Sequence, residues 1–229
     1  AMISASSQPP SIVPSRSPSD STLDMPSVLP SFSPSSTPLS LVPLGNQLFG
    51  KAFTDYFGYS VASSKDGSYI IVGSPGNDDN GINAGISTIF QYDKTVKKWA
   101  VMGEIAGSAA YDRFGYSVDI NDDGNVAIIG APRNYDNGRD SGQVKIFEYT
   151  NGAWYQKGQS LSGDASYDEF GTSVAISGDG KRAIGGAPYN SANGNYAGHV
   201  QIFDYNDTNN SWDTIDVIVG AAAGDFFGW

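Results

Sequence analysis

The chain has 229 residues, 28 of them glycine and none cysteine, and a net charge of −11. The lack of cysteine excludes a disulfide framework and thiolate chemistry. The negative charge disfavours nucleic acid and anionic membrane surfaces as partners, and no window approaches the ~18 apolar residues of a membrane span.

Two compositions meet near residue 43. Nine of the twelve prolines precede Leu44, and the other three are Pro75, Pro132 and Pro188. Within residues 1–43, proline recurs every fourth residue at Pro10, Pro14 and Pro18 and again at Pro26, Pro30, Pro34 and Pro38, with serine usually next. Such a tract lacks the apolar density to fold and is expected to be extended and disordered in isolation. An O-glycosylated stalk and a plain linker both fit it.

Residues 44–229 repeat one sentence. Asp-x-Phe-Gly tetrads begin at Asp55, Asp112, Asp168 and Asp225. Gly-(Ser/Ala)-Pro triplets follow at Gly73, Gly130 and Gly186, and Phe-x-Tyr runs at Phe90, Phe147 and Phe203. A period of this size means stacked supersecondary units. It also argues against catalysis, because chemistry that needs one special residue is rarely written three times over. The units are expected at about 51–107, 108–163 and 164–220, with the start of another at 221–229.

Each unit predicts four short strands. The first, near Gly58 to Ser63 in the first unit, alternates polar and apolar residues. An Asp-Gly pair then turns the chain, glycine supplying the positive φ of a tight hairpin. The second strand is nearly all apolar, as in Val126-Ala127-Ile128-Ile129, which fits a strand covered on both faces. Proline ends it, having no N–H for a ladder. After a loop rich in Asn and Gly comes an alternating third strand. A hairpin of variable length then leads to a fourth strand around Trp99, Trp154 and Trp212. The stretch Gly45 to Gly50 matches the fourth strands and is expected to be one. No segment sustains a 3.6-residue period, so no helix longer than a turn is expected. Four antiparallel strands per unit is a propeller blade, and the fold class is all-β.

Phe114-Gly115 with Gly130-Ala131-Pro132, and Phe170-Gly171 with Gly186-Ala187-Pro188, resemble the FG-GAP repeat. That is the blade motif of integrin α-subunit N-terminal propellers and of many microbial and algal surface proteins. Phe57-Gly58 with Gly73-Ser74-Pro75 departs by one residue. The resemblance covers about Leu44 to Trp229 and implies β-propeller blades. The Ser/Pro tract is similar to the stalks of algal wall and surface proteins. Three complete units fall short of the ~4–8 blades of a closed ring. The sequence therefore reads as a fragment whose remaining blades, and any signal segment, lie outside it.

The resemblance also implies a calcium loop between the first two strands. Only the middle unit approaches it, with Asp119, Asn121 and Asp123, although Ala127 holds the final ligand position. No other cofactor is implied. In the propellers this chain resembles, the loops after each Gly-x-Pro share a rim with the loops entering each Phe-Gly strand. Their non-repeating residues Asp79, Tyr111, Tyr135, Arg139, Tyr167, Tyr189 and Tyr196 form a candidate partner-binding rim, since exposed Tyr and Arg are enriched in hot spots. The Asp of each tetrad reads as a turn-capping carboxylate. His199, the only histidine, reads as a surface strand residue. Asn206 and Asn209 open glycosylation sequons on a hairpin. No residue is assigned as catalytic.

These readings point to a non-enzymatic module of an extracellular, cell-surface or wall protein that binds protein or glycan in adhesion. Two alternatives remain open. One is an accessory domain of a larger secreted hydrolase, and the other a structural wall protein.

Overall fold

The computed structural model describes residues 43–229, and the Ser/Pro tract lies outside the described residues. Pro43–Trp229 forms one compact unit. Its three sheets are antiparallel and follow chain order. The first blade holds β1 (Ser60–Ser63), β2 (Tyr69–Ser74), β3 (Ile86–Asp93) and β4 (Lys98–Ala106). The second holds β5 (Ser117–Ile120), β6 (Val126–Ala131), β7 (Gln143–Thr150), β8 (Ala153–Gln156) and the short β9 (Leu161–Ser162), which also pairs with β7. The third holds β10 (Ser173–Ile176), β11 (Arg182–Ala187), β12 (His199–Asn206) and β13 (Ser211–Val219). The one helical element among the described residues is a 3-10 turn, Phe53–Asp55. These are β-propeller blades of four antiparallel strands, as the repeat predicts, the fourth being split into β8 and β9 in the second blade.

Consecutive blades pack through two apolar seams. Ile71, Ile89 and Ile105 of the first blade meet Phe114, Val118 and Ile129 of the second. Val126, Ile128 and Ile146 of the second meet Phe170, Ala183 and Phe203 of the third. Strand β6 is buried at all six positions because alternate residues serve opposite seams. That is why its sequence is apolar without a break. Each fully buried Ile or Phe contributes about 1.5–3 kcal/mol to such a seam.

The repeated motif is written at the seams. A Cβ on Gly73, Gly130 or Gly186 would collide with the carbonyl oxygen of Gly115, Gly171 or Gly228 in the next unit. The serine three residues after each Phe bonds the same oxygen. Ser60 Oγ donates to Gly115 at 2.8 Å, Ser117 to Gly171 at 2.7 Å and Ser173 to Gly228 at 2.8 Å. Two backbones can approach this closely only where neither carries a side chain.

Two expectations fail. Residues 45–50 form no strand, because no third strand stands beside them among the described residues. Leu44 and Asn46 instead bond the indole and the backbone N–H of Trp99. Lys157 and Gln159 do the same for Trp212. His199 is not a surface residue: it is 1% exposed. It lies 3.2 Å from the amide of Gln201, near Asp164. Its counterpart in the second blade, Gln143, is equally buried, so the position belongs to the core whatever occupies it.

Candidate ligand-binding rim

The tetrad aspartates hold the rim together. Asp55, Asp112 and Asp168 are buried. Each accepts a side-chain amide from an asparagine 22 residues on: Asn77 at 3.0 Å, Asn134 at 3.2 Å and Asn190 at 2.8 Å. Asp55 and Asp168 also accept the N–H of Ala52 and Ala165, which is the expected cap. Burial raises the pKa of Asp112 and Asp168 above the usual carboxylate value. The next asparagine of each loop crosses the seam: Asn80, Asn137 and Asn193 donate to the carbonyls of Gly107, Gly163 and Gly220.

On this frame two backbones lie side by side at both seams and at the boundary after the third blade. Arg113 N–H donates to Asn83, Glu169 to Asp140 and Phe226 to Tyr196, each at 3.0 Å. All six residues have left-handed backbones, with φ between 50° and 56°. L-residues with side chains rarely adopt that region, and a cost of order 1 kcal/mol each is carried by the surrounding hydrogen bonds. The backbone is the same three times, but the side-chain pairs differ: Asn with Arg, Asp with Glu, Tyr with Phe.

The chemistry changes along the rim accordingly. At the second seam Arg133 reaches Asp140 at 3.3 Å and Glu169 at 3.2 Å, and burial raises the pKa of Glu169. At the third boundary Tyr196 stacks on Phe226 with centroids 5.8 Å apart and planes 14° apart. Tyr189 lies edge-on to both, and to Trp229. At the first seam Tyr59 and Tyr116 have centroids 4.8 Å apart. Burial, followed by the neighbouring Tyr59 hydroxyl, pushes the pKa of Tyr116 up to about 12.

The rim residues expected from sequence divide. Arg139 lies over the Tyr167 ring at 5.7 Å, and Tyr189 meets Tyr196. Tyr111 and Tyr135 are exposed. Asp79 pairs instead with Lys51 at 3.0 Å. Sequence reasoning missed Tyr56, Tyr59, Arg113, Tyr116, Arg133, Asp140 and Glu169. The available signal was positional, since these sit at fixed offsets from the repeated Phe, Pro and Asn.

Two of the three residues of the calcium reading are engaged in hydrogen bonds. Asp119 accepts the N–H of Ile120 at 2.8 Å and, across the seam, that of Ile176 at 2.9 Å. Asn121 is buried, and its oxygen accepts the N–H groups of Asn125 and Val126. The Asn121 oxygen thus spends both lone pairs on N–H donors, each Asp119 oxygen spends one of two, and Asp123 is exposed. Among the described residues no group of three or more His, Asp or Glu side chains is placed to hold a metal. Asn206 and Asn209 both lie at the β12–β13 hairpin, with Asn206 bonded to Asp213 and Asn209 exposed.

The FG-GAP repeat model matches residues 50–90, 106–147 and 154–203. No curated protein is matched at a significant level. Among solved structures, Saccharomyces cerevisiae Sqt1 is 12% identical with a TM-score of 0.46, over 73% of this chain and 37% of that one. A putative 6-phosphogluconolactonase from Bacteroides fragilis is 19% identical with a TM-score of 0.46, over 69% and 40%. Kuenenia stuttgartiensis hydrazine synthase is 13% identical with a TM-score of 0.45, over 78% and 41%. The chain thus spans less than half the length of each of these structures.

Proposed function

The chain belongs to the FG-GAP repeat family, and from that premise we propose that its blades form a non-enzymatic binding module. In this reading the parent protein is extracellular or cell-surface, and the Ser/Pro tract presents the blades for adhesion to a protein or glycan. One observation carries it: the rim holds its backbone constant at three unit boundaries while changing the chemistry of the side chains held there. A recognition surface is diversified in this way on a repeated scaffold. The sequons fit the same picture. They lie at the far end of β12 from the rim, so glycans on Asn206 or Asn209 would leave it clear.

The test is a glycan array together with pull-downs from candidate host extracts, using the full chain. A specific ligand is expected, and its binding is expected to fall at least tenfold in an Arg133→Ala, Tyr189→Ala double variant. A ligand that ignores that variant, or glycoside or peptide hydrolysis by the purified chain, would overturn the reading.

A further inference from the structure

At the first seam the rim opens into a cavity of about 190 Å³, walled by Tyr56, Tyr59, Tyr116, Arg113, Asn83 and Gly76. At the other two boundaries the chain fills the equivalent space itself. Where the first unit has Gly76, the second has Arg133 and the third Tyr189. Gly76 does not have a left-handed φ, so the turn does not demand glycine there. A Cβ would instead meet the Thr54 carbonyl and the Tyr56 ring. The first unit therefore carries no guest side chain of its own at this position.

The repeat thus displays two guests for this site. Arg133 is held by the two carboxylates of Asp140 and Glu169. Tyr189 is held by aromatic rings, with centroids 5.7 Å from those of Tyr196 and Phe226. The host residues of the first seam decide between them. Asn83 and Arg113 stand where Asp140 and Glu169 stand at the second. A guanidinium entering there would find no carboxylate on the cavity wall, with Glu169 acting on Tyr116 and Arg113 only from beyond it, and one like charge. An aromatic ring would find the rings of Tyr59 and Tyr116 and, in Arg113, a cation for its π-face. The chain makes that last contact elsewhere, with Arg139 over Tyr167. The size agrees as well, since enclosing a drug-sized ligand takes about 300–1,000 Å³. This cavity suits a single side chain.

We propose that this cavity receives one aromatic side chain, a tyrosine, presented by a protein partner. The proposal rests on the rim-binding reading above and, at this seam, selects protein over glycan.

The test titrates the full chain with N-acetyl-tyrosinamide, N-acetyl-argininamide and methyl β-glucoside, observed by saturation-transfer NMR. Transfer to the tyrosine ring alone is expected, with an affinity on the order of millimolar for so small a ligand. Arg113→Glu should weaken it about tenfold or more. The backbone accepts that change, because Glu169 already occupies the equivalent position at φ 52°, against 56° for Arg113. Tyr56→Ala, at a position 62% exposed, is a second variant that spares the core and should also reduce transfer. Transfer to the glucoside or the arginine probe in place of tyrosine overturns the proposal and leaves the rim reading standing. Tyrosine transfer unchanged in both variants overturns it too, because the ring would then bind elsewhere. Silence from all three probes also overturns it, and the rim reading is then judged by its own array and pull-down.

Discussion

The second and first blades are written in the same words, yet their phenylalanines end in different surroundings. Phe114 and Phe170, at the two seams, are 2% and 0% exposed. Phe57, with no blade packed against its side among the described residues, is only half-buried, and Phe227 is 40% exposed. All three complete units keep the same contact inside the blade: Phe57 with Phe90, Phe114 with Phe147 and Phe170 with Phe203, with centroids 6.1–6.2 Å apart. The difference is therefore made by the neighbour and not by the blade. The repeat encodes a joint, and a blade alone is half of one.

The largest effect should come from removing a phenylalanine that a joint has buried. Phe170→Ala is expected to cost about 3–5 kcal/mol, as for buried aromatics generally. Phe57→Ala should cost less than half as much, because part of its surface already faces solvent. Denaturant unfolding of the full chain, with the two variants side by side, measures both. Equal losses would break the comparison, since the seam would then add nothing to the Phe.

A similar contrast separates two kinds of glycine. Gly67 lies at a hairpin tip with φ 68° and nothing within 4 Å of its would-be Cβ. Gly67→Ala should cost about 1 kcal/mol of backbone strain. Gly130 has an unremarkable φ, but its Cβ would strike the Gly171 carbonyl. Gly130→Ala should cost about 1–3 kcal/mol by forcing the second seam apart. It should also weaken the bond from Ser117, and the loss should fall by about 1 kcal/mol when that bond is already removed in a Ser117→Ala background. Thermal melts of the single and double variants would show strict additivity if the two contacts were independent.

Much of this joint was legible in the sequence. Periodicity and turn chemistry gave the blades, because both are local. The continuous apolar run of β6 announced cover on two faces before any partner was known. What sequence could not supply was which atoms meet across a seam. The serine after each Phe-Gly looks like strand filler until its hydroxyl is seen on the next unit's glycine. The residue before each Phe reads as the indifferent x of the motif. Its left-handed backbone and its cross-seam bond to residue 83, 140 or 196 depend on two loops some 30 residues apart. His199 was misplaced for the same reason: alternation assigns it a face, and only packing shows that the face is covered.

The His199 and Gln143 positions offer a pH test of that packing. Burial lowers the pKa of His199, while the charges of Asp164 and Asp168 oppose the shift. The unfolded chain then binds the proton more readily than the folded one. Stability should therefore fall as pH drops below the ordinary histidine value near 6.5, until the lowered folded value is passed. Asp112 and Asp168 have the opposite sign. Their raised pKa values give stability as pH falls from the raised folded value toward the unfolded value of 3.8. The histidine loss should therefore appear first on acidification and be absent in His199→Gln, which installs the second blade's residue. A His199→Gln chain that loses as much stability as the parent between pH 7 and 5.5 would place the titration elsewhere.

Calcium should have the smallest effect of all, and the reason again lies at a seam. A ligand stabilises by RT ln(1 + [L]/Kd), so a weak site contributes little at ordinary concentrations. The Asp119 carboxylate is the middle unit's link to Ile176 in the third blade, where the first and third units have Ala62 and Ala175. Coordination would have to share the Asp119 carboxylate with that link and strip N–H bonds from the Asn121 oxygen. Millimolar calcium is therefore expected to move the melting temperature by less than about one degree. Asp123→Ala should leave even that unchanged. Asp119→Ala should lower stability by about 1 kcal/mol with or without calcium, because what it removes is a hydrogen bond across the joint. A calcium shift of several degrees that disappears in Asp123→Ala would mean that the hairpin rearranges into a cage. Asp119 would then be a metal ligand, and the second seam would have to hold without it.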